Sequence, residues 1–232
     1  MALIIWNFIY DLPKIQKTYE LAHKEVNQAG YFELGKKGAP TFRLLVLGDS
    51  IGSGHGVQTF EDAVGSRLAL KLAEKYHVVY LNEAGFGKWV SDIANDQIKE
   101  HWDMISLIIG SNDVLHGTKR TEFQKACYEL ADKMKKHTNK IIIAGPCDIA
   151  QVPIFPWWYK ILIRRRERMV ATILNKTAKR AGGIYANVLE SSLNPSHLGR
   201  DHLHLNFKGH EILFNFIWKK VRQESGQNWG EL

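Results

Sequence analysis

After residue 40 the chain alternates short apolar runs with longer stretches of helical periodicity, and this alternation limits the fold more than any other feature. The β-rich runs are Phe42–Leu47, His77–Leu81, Met104–Ile109, Lys140–Ala144 and Gly183–Val188. Helical patterns over Glu61–Lys75, Val90–Lys99, Thr121–His137 and Trp157–Ala181 separate them, and a last one covers Phe207–Arg222. Runs such as Ile105-Ser106-Leu107-Ile108-Ile109 and Ile141-Ile142-Ile143 lack the alternation of a half-exposed strand, as expected when helices cover both sheet faces. A helix between successive strands returns the chain to the same edge of the sheet, so the strands run parallel. The sequence therefore predicts an α/β protein, a three-layer α/β/α sandwich. At 232 residues it is one domain with a short appendage. Residues 1–40, with a helical pattern around Ile15–Asn27 and a Gly-rich link at Gly35–Gly38, read as an N-terminal extension. The main domain spans 41–225 and a short tail 226–232.

In open parallel sheets, ligands bind beyond the carboxyl ends of the strands. Glycine and polar residues collect at those ends here: Gly48–Gly56 after the first run, Asn82–Gly87 after the second, and Gly110-Ser111-Asn112-Asp113 after the third. Ser50 sits in the first of these turns, and Asp201-His202-Leu203-His204 far downstream places a carboxylate three residues before an imidazole. A serine hydroxyl attacks acyl carbons only when a base takes its proton and a third group orients that base. Ser50, His204 and Asp201 supply those three roles, so a serine hydrolase is the leading reading.

Competing readings explain less. Gly48-Asp49-Ser50-Ile51-Gly52 satisfies G-x-S-x-G, but the elbow serine of α/β-hydrolases follows a mid-sheet strand, and their acid lies well upstream of the histidine. In chymotrypsin-like enzymes the histidine precedes the serine. A dinucleotide site with Glu83 on the ribose would leave Asp201/His204 without a role, and glycines at 52, 54 and 56 miss the third position of G-x-G-x-x-G. His197, His202, His204 and His210 lie close in sequence but lack the rigid spacing of a zinc site, so no metal is expected.

These blocks together resemble the SGNH hydrolases, the GDSL esterase/lipase family, over nearly all of residues 42–222. Gly48-Asp49-Ser50 is similar to the family's first block, with isoleucine where the family name has leucine. Asn82-Glu83-Ala84-Gly85-Phe86-Gly87 resembles the second, Gly110-Ser111-Asn112-Asp113 the G-x-N-D block, and Asp201 with His204 the D-x-x-H block. The resemblance implies Ser50 as nucleophile and an oxyanion hole from Ser50, Asn112 and a glycine, for which Gly87 fits best with Gly85 close by. Asp49 and Asp113 are expected to brace their turns. It also implies a flavodoxin-like parallel sheet of about five strands, ordered 2-1-3-4-5. The expected chemistry is hydrolysis of a carboxylic ester through an acyl-enzyme, without cofactor. A lipid or lysophospholipid ester is the favoured substrate. A carbohydrate O-acetyl ester comes second, and a non-catalytic binding module on the same fold third.

The favoured substrate rests on two aromatic-rich segments. Pro153–Arg168 contains Phe155, Trp157 and Trp158, and the two tryptophans are expected to wall the substrate site. An amphipathic helix accounts for the residues beyond 160. Met1–Tyr10 is almost wholly apolar yet too short to span a bilayer, which takes about 20 residues, and it lacks the n-region and cleavage site of a secretory signal. It reads as a core-covering arm or as an interfacial anchor, with Trp6 and Tyr10 at headgroup level and Lys14, Lys17 and Lys24 toward anionic lipid. The net charge of +7 carries no nucleic-acid signature, so no nucleic-acid partner is expected. Cys127 and Cys147 read as reduced thiols, and the expected location is cytoplasmic, with peripheral membrane contact through the N-terminal segment.

Overall fold

The computed structural model describes residues 28–228. Its strands are β1 (Gly30–Leu34), β2 (Thr41–Gly48), β3 (His77–Asn82), β4 (Met104–Ile108), β5 (Ile141–Ala144) and β6 (Ile184–Ala186). They form one six-stranded sheet in the order β1-β3-β2-β4-β5-β6. From β3 to β6 every pairing is parallel, which reproduces the expected order of the five core strands. The sixth strand, β1, was not expected from the sequence. It comes from the segment read as an extension and pairs antiparallel with β3, Phe32 opposite Tyr80. Only one of its faces meets the core. Phe32 packs on Phe60 and Tyr80 at 4.5 and 5.8 Å between ring centroids, and Leu34 joins the same cluster, while Tyr31 faces out. Phe32 and Leu34 alone are too short an apolar alternation to mark a strand, yet the pairing covers the free edge of β3.

The helices are α1 (Val64–Ala73), α2 (Val90–Asn95), α3 (Ser111–His116), α4 (Arg120–Met134), α5 (Trp157–Ala181) and α6 (Phe207–Asn228). Alternate side chains of each strand enter opposite layers. Leu44, Val46, Met104, Ile108 and Ile142 pack with Leu68 and Leu72 of α1 and Leu213 and Ile217 of α6. Leu45, Leu47, Ile105, Leu107, Ile141 and Ile143 pack with Ile93 of α2, Phe123 and Leu130 of α4, and Val170 and Leu174 of α5. Each fully buried leucine or isoleucine stabilises the sandwich by about 2 kcal/mol, so both faces of the sheet hold it together. The helical pattern at Val90–Lys99 ends early because the backbone turns extended at Asp96. The long α5 stops at Gly182, whose φ of 69° sets a left-handed cap.

Backbone hydrogen bonds gather three strand ends at one place. Asp49 N–H donates to Ile108 O, Glu83 N–H to Val46 O and Gly85 N–H to Gly48 O. The close approach of β4 explains the glycine at 48: a Cβ there would lie 2.2 Å from Ile108 O.

Candidate active site

Ser50 follows β2 in a tight turn held by its own backbone. Ser53 N–H donates to Asp49 O, His55 N–H to Ser50 O, and Ser53 Oγ–H to Ser50 O. Asp49 Oδ1 accepts the Ile51 N–H at 3.0 Å, so this carboxylate braces the turn. Burial pushes the Asp49 carboxyl up to about 7, against the pull of the Ile51 N–H and His204. Asn82 fixes the same turn from β3: its Nδ2 donates to Gly52 O and its Oδ1 accepts the Ala84 N–H, both at 3.0 Å.

The loop before α6 carries the acid and the base. Asp201 Oδ1 accepts the N–H groups of Leu203 and His204 at 2.9 and 3.0 Å. Its Oδ2 lies 2.6 Å from His204 Nδ1, and His204 Nε2 lies 2.9 Å from Ser50 Oγ. A carboxylate can only accept, so Nδ1 carries the proton and Nε2 faces the serine with its lone pair. Burial raises the Asp201 carboxyl, but the hydrogen bonds from His204 and from both backbone N–H groups outweigh it and hold the group below its ordinary value. Ser50, Asp201 and His204 are all buried, so these contacts sit in a low-dielectric setting that strengthens them. The two loops meet at Gly56, where a Cβ would lie 2.0 Å from Leu205 O.

Asn112 opens α3. One of its amide hydrogens is bound to Lys88 O at 2.9 Å, which orients the group, and the residue lines the cavity. The two candidate glycines differ in hydrogen bonding. Gly85 N–H is committed to Gly48 O, whereas the N–H groups of Ser50 and Gly87 meet no acceptor among the described residues. Asp113 braces its turn, as expected, accepting Val90 N–H and Thr118 Oγ1–H at 3.2 and 2.9 Å. Burial raises its carboxyl to about 6.

A cavity of about 60 Å³ opens on this group, lined by Ser50, Asn112 and His204 and by Leu115, Ile149, Val152, Leu193, Leu198 and Leu203. Trp157 and Trp158 do not line it, which corrects their expected role. Helix α5 begins at Trp157 directly after Pro156, so both rings belong to its first turn rather than to an overhanging loop. Trp157 is 75% exposed, and Trp158 packs on Tyr159 at 5.6 Å. The wall comes instead from the turn just before, Ile149–Gln151, and from residues 193–205, neither of which carries a periodic apolar signal. Cys147 also lines the cavity, and burial pushes its thiol up. His210 is packed beneath the site. Its Nδ1 accepts the Val64 N–H, its Nε2–H donates to His55 O, and burial lowers its pKa to about 4.

A family model for the GDSL-like Lipase/Acylhydrolase family matches residues 46–212. Among solved structures, LAE5, described as an alpha/beta hydrolase enzyme from the metagenome of Lake Arreo, Spain, is 19% identical with a TM-score of 0.63, covering 79% of this chain and 96% of its own. Axe2, an acetylxylan esterase from Geobacillus stearothermophilus, is 22% identical with a TM-score of 0.58, covering 80% and 96%. TesA is 19% identical with a TM-score of 0.61, covering 78% and 98%. At these identities the likeness is one of fold. No curated protein sequence matches the chain.

Proposed function

The chain belongs to the GDSL-like Lipase/Acylhydrolase family, and from that premise we propose that it is a serine esterase working through Ser50, His204 and Asp201. The observation that carries this reading is the continuous chain from Ser50 Oγ through His204 to Asp201, at 2.9 and 2.6 Å, facing an apolar cavity. Ser50 Oγ attacks the acyl carbon as His204 Nε2 takes its proton, and Asp201 stabilises the imidazolium. The carbonyl oxygen, now an anion, receives the N–H groups of Ser50 and Gly87 and the Asn112 amide. Collapse breaks the ester C–O bond, and His204 returns its proton to the departing alkoxide. Water then repeats the sequence on the acyl-enzyme, releasing the acid and restoring Ser50. A fluorophosphonate should label the wild type and not Ser50→Ala; labelling that persists in the folded variant overturns the mechanism.

For the substrate we favour a lipid or lysophospholipid ester, because leucine, isoleucine and valine side chains dominate the cavity wall. A second reading, a carbohydrate O-acetyl ester, is supported by size. At about 60 Å³ the cavity is small, which suits a short acyl group. The solved neighbour described as an acetylxylan esterase agrees with that reading. Rates on p-nitrophenyl esters from C2 to C16 separate the two: a strict C2 preference overturns the lipid ester. Met1–Tyr10 lies outside the described residues, and we retain it as a proposed interfacial anchor. Deleting residues 1–12 should then reduce sedimentation with anionic liposomes without impairing hydrolysis of a soluble ester. Among the described residues no helix is long and apolar enough to cross a membrane.

A further inference from the structure

We propose that the first three turns of α5 form a docking face for an anionic lipid surface on the outer side of that helix. Trp157, Ile161 and Leu162 are 75%, 51% and 48% exposed, the densest group of large exposed apolar side chains among the described residues. Arg164, Arg165 and Arg168 continue the exposed side of the helix over the next two turns, with Lys160 alongside. None of these four cations forms an ion pair with a described residue. Between Trp157 and Thr172 the only acid is Glu167, and it is buried. Arg166 is turned inward, donating to Val114 O and Thr118 O. The outer face thus sets cations that form no ion pair with a described residue beside apolar side chains, in sequence along one helix.

That combination fits a phospholipid surface. Tryptophan and aliphatic side chains enter the headgroup boundary, and guanidinium groups meet phosphate with a geometry suited to bidentate bonding. A protein partner would need a groove matched to this convex ridge, whereas lipid adapts its shape. The buried side of the same helix packs against elements of the cavity wall. Tyr159 O–H donates to Leu115 O at 3.2 Å, and Leu115 lines the cavity. Glu167, further along the same helix, accepts the Ala150 N–H at 3.0 Å and so holds the turn that carries Ile149 of the cavity wall. The net charge of +7 adds a long-range attraction toward the same surface.

The test uses the full chain carrying Cys147→Ser, with an environment-sensitive fluorophore attached at Ile161→Cys. Leu70→Cys on α1, in the opposite helix layer, serves as the control. Vesicles of phosphatidylcholine with phosphatidylglycerol should shift the emission of the Ile161 label to the blue, and brominated acyl chains should quench it; the Leu70 label should not respond. In the otherwise unmodified chain, Arg164→Glu with Arg165→Glu should weaken vesicle binding at least ~30-fold while leaving soluble short-chain ester hydrolysis intact. An unchanged Ile161 emission on vesicles that do sediment the protein overturns the proposal and places the contact elsewhere, as at Met1–Tyr10. Equal binding of the charge-reversed variant also overturns it. So does a wild-type dimer, without vesicles, that this variant dissolves, because the face then belongs to a second copy of the chain.

Discussion

Replacing Glu167 by glutamine should make stability less dependent on pH, by an amount that follows from its burial. Glu167 is 3% exposed, and burial pushes its carboxyl from 4.5 up to about 7, partly offset by the N–H of Ala150. Below about pH 4.5 the group is protonated in the folded and unfolded states alike. Between 4.5 and 7 the unfolded chain releases this proton and the folded chain keeps it, so unfolding becomes easier as pH rises. Integrated to pH 8, the linkage amounts to about 3 kcal/mol, at 1.36 kcal/mol for each decade by which the folded and unfolded proton affinities differ. In Glu167→Gln the new side chain would keep a carbonyl to accept the Ala150 N–H but would have no proton to exchange. The stability difference, variant minus wild type, should therefore grow by about 3 kcal/mol between pH 4.5 and 8. In a chain of this size that moves the difference in melting temperature by roughly 6–12 °C. Urea unfolding of both proteins across this range measures it directly, and other titrating groups cancel in the difference. Parallel stability curves would mean that Glu167 ionises like an exposed carboxylate and that the turn behind Ile149 is not dry.

Asn112→Ala should lower kcat by ~10²–10³ with little change in KM, because the amide acts on the oxyanion rather than on the bound ester; a raised KM with kcat intact would make Asn112 a substrate-positioning group. Asp201→Asn should cost up to ~10⁴ in kcat by favouring the wrong His204 tautomer, read in steady-state kinetics with the fold checked by circular dichroism. Gly56→Ala should destabilise the protein by more than ~1 kcal/mol and lower kcat as well, since a Cβ at φ 94° meets Leu205 O where the serine and histidine loops abut. Wild-type kcat and stability in that variant would show that the two loops can separate without loss.

The parts of this protein legible in its sequence are those set by near neighbours along the chain. Continuous apolar runs such as Ile141-Ile142-Ile143 announce strands covered on both faces, and the intervening helical periods imply parallel pairing. Asp201 and His204 lie three residues apart on one loop, so their pairing is almost a local property, and Ser50 and Asn112 stand at strand ends where a site in this fold is built. Tertiary structure decided the rest, because it depends on groups distant in the chain. The Gly85 N–H meets Gly48 O across the strand ends, a contact that no local pattern announces. β1 became a strand through pairing with β3, although its own pattern is faint. Trp157 and Trp158 looked like site residues by composition, but the start of α5 carried them onto the helix and away from the cavity. The cavity wall joins Leu115 of α3, Ile149 of the turn before α5, and Leu193 and Leu203 of the loop segment before α6. Loops have no repeating geometry, so an apolar residue in one carries no mark of the side it will face until the packed layers leave it a single place to go.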